Sequence, residues 1–318
     1  MAAKLNGVNV RVLVTGATGL LGSEILRECP ESIGLNSKDC NLIDSSHSIL
    51  TLEDDRIDTV IHCAAKVGGV KANTDYVADF FDDNVRMNMN VLDACRERGL
   101  KLVSVLSTCI YPDASYVNYP LTEDQLHKGP PHQSNFGYAY AKRMLEVQTR
   151  AYRQQFGCNF ISVIPNNLYG PDDNYDLDSG HVVPALIRKF HEAIINNKKE
   201  VVIWGTGKPL REFTYSKDAA KIILWLAENY NGENPINIGN PEQISIESLA
   251  LAISGEMRYK GTIKFDNTKP DGQHKKPSSN QMLRSIGWKG EYTPLREGLA
   301  ETIKLFKERY PNVRGVKI

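Results

Sequence analysis

The sequence carries no charge bias. Lysine plus arginine and aspartate plus glutamate number 38 each among 318 residues, so the formal net charge is zero. No global field draws nucleic acid or an anionic membrane to such a chain. There is no Cys-x-x-Cys pair, since Cys29, Cys40, Cys63, Cys95, Cys109 and Cys158 are scattered. That spacing argues against a zinc site and a disulfide framework, and suits a reducing compartment. No apolar run approaches the ~20 residues of a membrane span, and the short polar lead into Val10–Val14 lacks a signal-peptide core. Internal repeats and low-complexity tracts are also missing. What remains is 41% hydrophobic and 24% charged, the composition of one large globular domain or two unequal ones, expected in the cytoplasm.

The first structured stretch is a buried parallel strand, Val10–Val14, rich in β-branched residues. It runs into Gly16-Ala17-Thr18-Gly19-Leu20-Leu21-Gly22 and then a helix to about Glu28. In this strand–turn–helix context Gly16 permits the tight turn, and Gly19 lets the backbone approach a diphosphate. Gly22 allows helix and strand to pack closely, and the helix N-terminus faces the phosphates. A short strand follows near Ile33–Leu35. Dinucleotide folds that prefer NAD carry an acid roughly 20 positions after the first glycine. Here Asn36, Ser37 and Lys38 stand there, a set that suits a 2′-phosphate and predicts NADP(H). Asp44 is read either as an adenine contact or as a helix N-cap.

Thr59–Cys63 predicts another buried strand, whose small residues Ala64 and Ala65 leave room for a cofactor at its carboxyl end. Val85, Met89, Leu92 and Cys95 share one face of a helix that Gly99 ends. Leu102–Leu106 is the next strand, with Ser107 at its carboxyl end. A helix bearing Leu145, Gln148, Tyr152 and Phe156 stops at Gly157, and strand Phe160–Ile164 leads to Pro165, Asn166, Asn167 and Leu168. Further on, a long helix from about His181, strands at Val201–Trp204 and Arg211–Tyr215, and a buried helix at Ala219–Leu226 are expected. Pro235–Gly239 closes as a sixth sheet strand, a helix lies near Ile246–Met257, and Lys269–Pro277 is a basic loop. The fold class predicted is α/β: a doubly wound parallel Rossmann-type sheet with a smaller C-terminal α/β substrate domain. Residues 1–170 form the cofactor domain, completed by about 211–240, and residues 171–210 and 241–318 form the smaller one.

The helix of Leu145 opens with Phe136-Gly137-Tyr138-Ala139-Tyr140-Ala141-Lys142. Tyr138 and Lys142 are one turn apart on one face. A phenol titrates near pH ~10, so proton transfer at neutral pH needs help of the kind an ammonium gives. Alone, this spacing also fits an ordinary helix face. A glycine turn, then Ser107, then Tyr138 and Lys142 is, however, an order in which the chain resembles the short-chain dehydrogenase/reductases.

Taken with further blocks, the chain resembles the extended members of that family that act on nucleotide sugars. The blocks are Ala64–Gly69, Ser107–Pro112, Asn135–Lys142, Pro165–Pro171, Gly180–Pro184, Val202–Gly207, Arg211–Phe213 and Lys269–Gly272. Among those members it closely resembles the branch that epimerises and reduces GDP-4-keto-6-deoxy-D-mannose to GDP-L-fucose. One departure stands in the glycine turn, where some members have an arginine and this chain has Thr18. That leaves Asn36, Ser37 and Lys38 as the 2′-phosphate candidates.

The resemblance implies roles. Gly16, Thr18, Gly19, Leu20, Leu21, Gly22, Ala64, Ala65, Leu106 and the Pro165–Leu168 segment line the cofactor, with Asp44, Lys142 and His181. Tyr138 protonates the C4 oxygen, Lys142 lowers its pKa and binds the nicotinamide ribose, and Ser107 bonds the same oxygen. The C3 and C5 protons are acidic because each is α to the ketone, and inversion needs a base on one face and an acid on the other. Cys109 is the base, in competition with a packing role, and His181 is the acid. A helix N-terminus disfavours imidazolium, so phosphates nearby are expected to hold its proton. Asn167, Lys189, Trp204, Arg211, Asp271 and Lys276 anchor the substrate, although Lys189 and Lys276 also read as solvated and Trp204 as core. Helices near Asn84–Arg98 and Tyr138–Phe156 resemble a pair that forms a homodimeric four-helix bundle. Another NADP-dependent nucleotide-sugar reductase or epimerase is the nearest alternative, and a non-catalytic NADP sensor that binds a partner protein the more distant one.

Overall fold

The computed structural model describes residues 4–5, 8–9, 11–44, 57–269 and 271–317. Val10 and Pro270, read above as part of a strand and of the basic loop, lie outside the described residues. So does the stretch that follows Asp44.

A six-stranded sheet organises the chain. Its strands are β1 (Arg11–Thr15), β2 (Ile33–Leu35), β3 (Ile57–His62), β4 (Lys101–Val105), β5 (Phe160–Pro165) and β9 (Ile236–Ile238). They run β2-β1-β3-β4-β5-β9, all parallel. Buried β-branched and leucine side chains dominate the central strands, as two-sided coverage requires. The chain goes outward from β1 to β2 and then returns to pair β3 on the other side of β1. The carboxyl ends of β1 and β3 therefore flank a topological switch point, where sheets of this kind bind ligands.

Helices cover both faces. Helix α3 (Val77–Glu97), preceded in the chain by the short α2 (Val70–Asp75), and helix α4 (Phe136–Phe156) lie on one side, and Val91, Leu92, Cys95 and Leu145 pack there with Leu13, Val60 and Leu102. On the other side α1 (Leu20–Glu28) and α6 (Ser216–Asn229) bring Leu21, Ile25, Ile222 and Leu226 against Val12, Val14 and Ile161. Leu283, on the short helix α8 (Gln281–Ser285), and Trp288, both from the segment assigned by sequence to the smaller unit, also join this second core. The face expected from Val85, Met89, Leu92 and Cys95 is divided: Leu92 and Cys95 are buried, whereas Met89 is 47% exposed.

A second group surrounds Tyr169, Ile187, Phe190, Phe213 and Phe306. It contains β6 (Asn167–Tyr169), β8 (Leu210–Tyr215) and β10 (Gln243–Ser245) in one sheet, and β7 (Glu200–Trp204) with β11 (Thr262–Asp266) in another. Helices α5 (Val182–Ile195), α7 (Ile246–Glu256) and α9 (Leu295–Arg309) pack on them. Among the described residues no helix is long and apolar enough to cross a membrane, and no group of three or more His, Cys, Asp or Glu side chains is placed to hold a metal.

Candidate active site

The glycine turn joins β1 to α1 at the switch point. Gly16 has φ +69°, and a Cβ there would meet the Ala64 backbone nitrogen at 2.8 Å, so a side chain is excluded twice over. A Cβ on Gly22 would stand 2.3 Å from the Gly16 carbonyl oxygen, which is the close helix–strand approach its position predicts. Gly19 caps α1, and the first helical turn carries no acid. A dinucleotide diphosphate fits this bare, positively polarised helix end.

Below the turn lies a network that sequence reasoning missed. The Ala64 amide donates to Thr15 Oγ1 at 3.2 Å, and Thr15 Oγ1 lies 2.8 Å from His62 Nδ1. With the Thr15 hydroxyl donating to Nδ1, His62 Nε2 donates to Asn88 Oδ1 at 3.1 Å. Asn88 Nδ2 in turn donates to the Ala141 carbonyl on α4 at 3.4 Å. Burial first, then the charge of Lys142, pushes His62 down to about 3. This histidine is therefore a neutral strut between the glycine turn and the Tyr138 helix.

After β2 the chain folds into a turn held by its own side chains. Asn36 Oδ1 accepts the Lys38 amide at 2.8 Å, and the Asp39 carboxylate accepts the Asn36 amide at 3.1 Å. Ser37 and Lys38 are exposed. An acid thus follows the three predicted residues, turned into its own loop. Asp44 is exposed and accepts a hydrogen bond from Asn41 Nδ2.

The structure brings Ser107, Cys109, Tyr138 and Lys142 together. Ser107 stands two residues past the end of β4 and accepts the Cys109 amide through Oγ at a long 3.4 Å. Gly137 brings α4 against the start of α3, since a Cβ there would stand 2.6 Å from the Val77 carbonyl oxygen. Tyr138 meets Phe80 edge-on, with ring centroids 6.4 Å apart. One expectation is corrected here. Lys142 does not lower Tyr138: its buried ammonium donates to the Val105 carbonyl at 2.8 Å. Burial, with the neighbouring Cys109, raises the phenol well above its ordinary value. Lys142 itself is lowered to about 8 by burial, against Cys63 and Cys109. Helical spacing placed the two residues on one face, but the long lysine stem turns toward the sheet.

Burial raises the Cys109 thiol, and the largest opposing influence is Lys276, followed by the Ser107 bond and Lys142. Lys276 is therefore not a merely solvated side chain. Its loop is fastened on both sides: before it the Tyr119 hydroxyl donates to the Lys275 carbonyl at 2.9 Å, and after it the Leu121 amide donates to the Pro277 carbonyl at 2.8 Å and the Ser278 hydroxyl to Glu212 Oε2 at 2.7 Å. Glu212 is 2% exposed, and burial raises its carboxyl despite the Ser278 and Asn166 bonds. It is the buried anchor of the loop that carries Lys276. Asn166 shares this anchor: its side chain donates to Glu212 and to the Asn240 carbonyl and accepts from the Thr214 hydroxyl. Its backbone amide is committed as well, donating to the Ile238 carbonyl at 3.2 Å, so Asn166 acts here as a structural tie. Asn167 Nδ2 likewise donates to the Glu212 carbonyl at 2.8 Å. Pro165 is buried at the end of β5, and Leu168 is half-buried beside it.

His181 stands at the N-terminus of α5 with no side-chain capping bond, and its side chain is 47% exposed. Burial and Arg314 disfavour its charged form, but Asp173, whose Oδ1 lies 3.7 Å from Nδ1, outweighs them and raises its pKa. The chain thus supplies from its own residues the anion that was expected from phosphates. Asp173 is buried, and its other carboxylate oxygen has no partner among the described residues. Asp173→Asn should lower the His181 pKa, so that the ring loses its proton at lower pH. The alkaline limb of any His181-dependent step should shift toward acid, while steps that bypass His181 keep their profile. An unchanged limb would show that Asp173 does not hold this proton.

The remaining predicted residues gather at β7 and the adjoining loop. Trp204 is 52% exposed, not core, with Lys189 and Lys269 ammonium groups 5.9 and 5.5 Å from its ring centre. Lys189 also donates to the Val202 carbonyl at 3.1 Å, and burial lowers its pKa. Arg211 donates to the Leu210 carbonyl at 2.7 Å. The Asp271 carboxylate accepts the Thr206 amide and hydroxyl at 2.6 and 2.7 Å, so it braces the turn after Trp204.

A glycine turn at a switch point, with Ser, Tyr and Lys at the carboxyl end of the sheet, defines a Rossmann-type dinucleotide-dependent enzyme. Residues 12–239 match the NAD dependent epimerase/dehydratase family. A GDP-L-fucose synthase of Dictyostelium discoideum is 44% identical, covering 95% of this chain and 97% of that one. One from Escherichia coli K12 is 36% identical over 96% and 99% of the two chains. A crystal structure of a GDP-L-fucose synthetase from Naegleria fowleri bound to NADP superposes with a TM-score of 0.87 at 39% identity, covering 99% and 96%. The chain therefore belongs to the NAD dependent epimerase/dehydratase family, in the group of the GDP-L-fucose synthases.

Proposed function

We propose that the chain converts GDP-4-keto-6-deoxy-D-mannose to GDP-L-fucose, by 3,5-epimerisation followed by NADPH-dependent reduction at C4. The observation that carries this reading is a thiol, Cys109, set among Ser107, Tyr138 and Lys142 and faced by the cation of Lys276. A plain reductase needs Ser107, Tyr138 and Lys142 for hydride transfer but has no use for an ionisable thiol beside the ketone.

The steps follow from acidity. As thiolate, the form that Lys276 and Lys142 favour against the larger effect of burial, Cys109 removes the proton α to the C4 carbonyl. Negative charge passes to O4, where the Ser107 and Tyr138 hydroxyls donate to it. His181, kept protonated by Asp173, delivers a proton to the opposite face. After both centres are inverted, Tyr138 gives its proton to O4 as C4 becomes a carbinol. NADPH, when bound, supplies the hydride. Gly16, Gly19 and Gly22 with the α1 N-terminus would hold its diphosphate, and Asn36, Ser37 and Lys38 its 2′-phosphate. Lys189, Trp204 and Arg211 would anchor the GDP moiety through cations and an aromatic surface. On this reading residues 1–170 with 211–240 serve the cofactor, and 171–210 with 241–318 the sugar nucleotide. Incubation with NADPH and GDP-4-keto-6-deoxymannose should yield GDP-L-fucose. A product with unaltered C3 and C5 configuration would leave the chain a simple reductase.

NADPH should give a higher kcat/KM than NADH, because Ser37 and Lys38 are exposed beside the end of β2 and the nearby Asp39 is turned into its own loop. Equal values for the two cofactors would remove the 2′-phosphate from this turn.

A homodimer through α3 and α4 is part of the same reading. Met89 on α3 and Tyr140, Met144 and Val147 on α4 are between 38% and 47% exposed, an apolar stripe that a second copy of the helix pair would cover. Met144→Glu should turn a dimeric sedimentation mass into a monomeric one. A wild-type monomer would dismiss the bundle.

A further inference from the structure

We infer that Arg314 is a ligand of the cofactor's diphosphate, brought to the glycine turn from the far end of the chain. This rests on the reading of the turn as a dinucleotide site. The Arg314 Nη1 atom stands 3.8 Å from where a Cβ on Gly19 would be, beside the bare N-terminus of α1. It is also close enough to His181 to oppose that ring's charge. A single guanidinium thus lies between the phosphate-binding turn and the loop that bears the proposed acid.

Its placement is built rather than incidental. After α9 the chain turns back, and the Arg314 carbonyl accepts the Tyr175 amide at 2.9 Å. Arg188 Nη1 donates to the next carbonyl, of Gly315, at 3.1 Å. Gly315 has φ +85°, and a Cβ there would stand 2.1 Å from Asn174 Oδ1 and 2.4 Å from the Asp176 amide. No other residue passes this point without displacing the loop, so the glycine fixes where Arg314 lies. The side chain itself is exposed. Its neighbour Arg309 pairs with Asp172 at 2.9 Å. Among the described residues no carboxylate lies within ion-pair distance of Arg314.

An exposed cation held at a helix N-terminus, with no acid in the first turn, favours an anion with several oxygens. A diphosphate meets both, accepting from α1 amides and from the planar guanidinium together. Once neutralised in this way, Arg314 no longer opposes the His181 proton. Cofactor binding then favours the acid form of the ring.

The test is cofactor affinity of Arg314→Ala, measured for NADPH and NADH by titration calorimetry without sugar nucleotide. Loss of a charge-assisted contact to the diphosphate should raise Kd roughly 10–100-fold for both cofactors. Arg314→Lys, which keeps the charge but not the fork, should fall between. The melting temperature without cofactor should stay at the wild-type value, and the rise on adding NADPH should shrink. Affinities within about twofold of wild type would overturn the inference. So would a loss confined to NADPH, which would move Arg314 to the 2′-phosphate, or a lowered melting temperature without cofactor, which would make it structural. A wild-type protein that binds neither cofactor would instead sink the dinucleotide reading itself.

Discussion

Cys109→Ala should stop the exchange of the C3 and C5 protons with solvent while leaving the hydride machinery in place. Hydride transfer needs Ser107, Tyr138 and Lys142 around the ketone, and the thiol takes no part in it. Loss of a general base typically costs ~10²–10⁴-fold, so epimerisation should fall by about that much. Reduction of the unepimerised ketone should continue slowly, giving a GDP-6-deoxyhexose of different configuration. His181→Asn should behave differently. Cys109 is still present and can remove a proton and return it to the same face, so exchange survives at one centre while inversion fails. Proton NMR in heavy water separates the two variants. Full exchange and GDP-L-fucose from Cys109→Ala would return that residue to packing, a role its place against the first core also allows.

Tyr138→Phe should lose hydride transfer by ~10²–10⁴-fold, the usual contribution of a positioned acid, while NADPH affinity and folding persist. The raised phenol makes this sharper. Burial and Cys109 hold Tyr138 protonated, the form that can donate to O4 as charge develops there. The variant should still exchange C3 and C5 protons at a reduced rate, because Ser107 remains to stabilise the enolate. A near-normal reductase rate would pass the donor role to Tyr140 or to water. Tyr140 is 38% exposed on the outer side of α4, beside Arg143.

Local geometry was readable from the sequence; long-range proximity was not. The glycine turn announces itself because Gly16, Gly19 and Gly22 satisfy backbone constraints within one short stretch. Ser107 and Cys109 follow from a buried strand of clear length, and the β9 strand from Ile236 and Ile238 on either side of Asn237, between turn residues. Helical spacing placed Tyr138 and Lys142 correctly but said nothing about the lysine's rotamer, and the ammonium bonds Val105 instead. Periodicity chose the face of α3 without saying whether this chain or a second copy covers Met89. His62, Asp173 and Glu212 escaped because each acts through a residue from another element, and Arg314 because the fold brings it to the glycine turn from the far end of the chain. Asp173 stands eight positions before His181 in an irregular loop, where no periodicity carries information. Asn166 illustrates the converse: its motif position suggested a ligand contact, and its side chain proves to be tied to Glu212, Thr214 and Asn240.

The most direct measurement of the central claim traces three hydrogens at once. Wild-type protein is given GDP-4-keto-6-deoxymannose and unlabelled NADPH in heavy water, and the product sugar is examined by NMR. Inversion through Cys109 and His181 predicts deuterium at C3 and at C5, both taken from solvent, and protium at C4 delivered by the nicotinamide. A product that retains protium at C3 or C5, or that carries deuterium at C4, would contradict an epimerase and a reductase sharing this site.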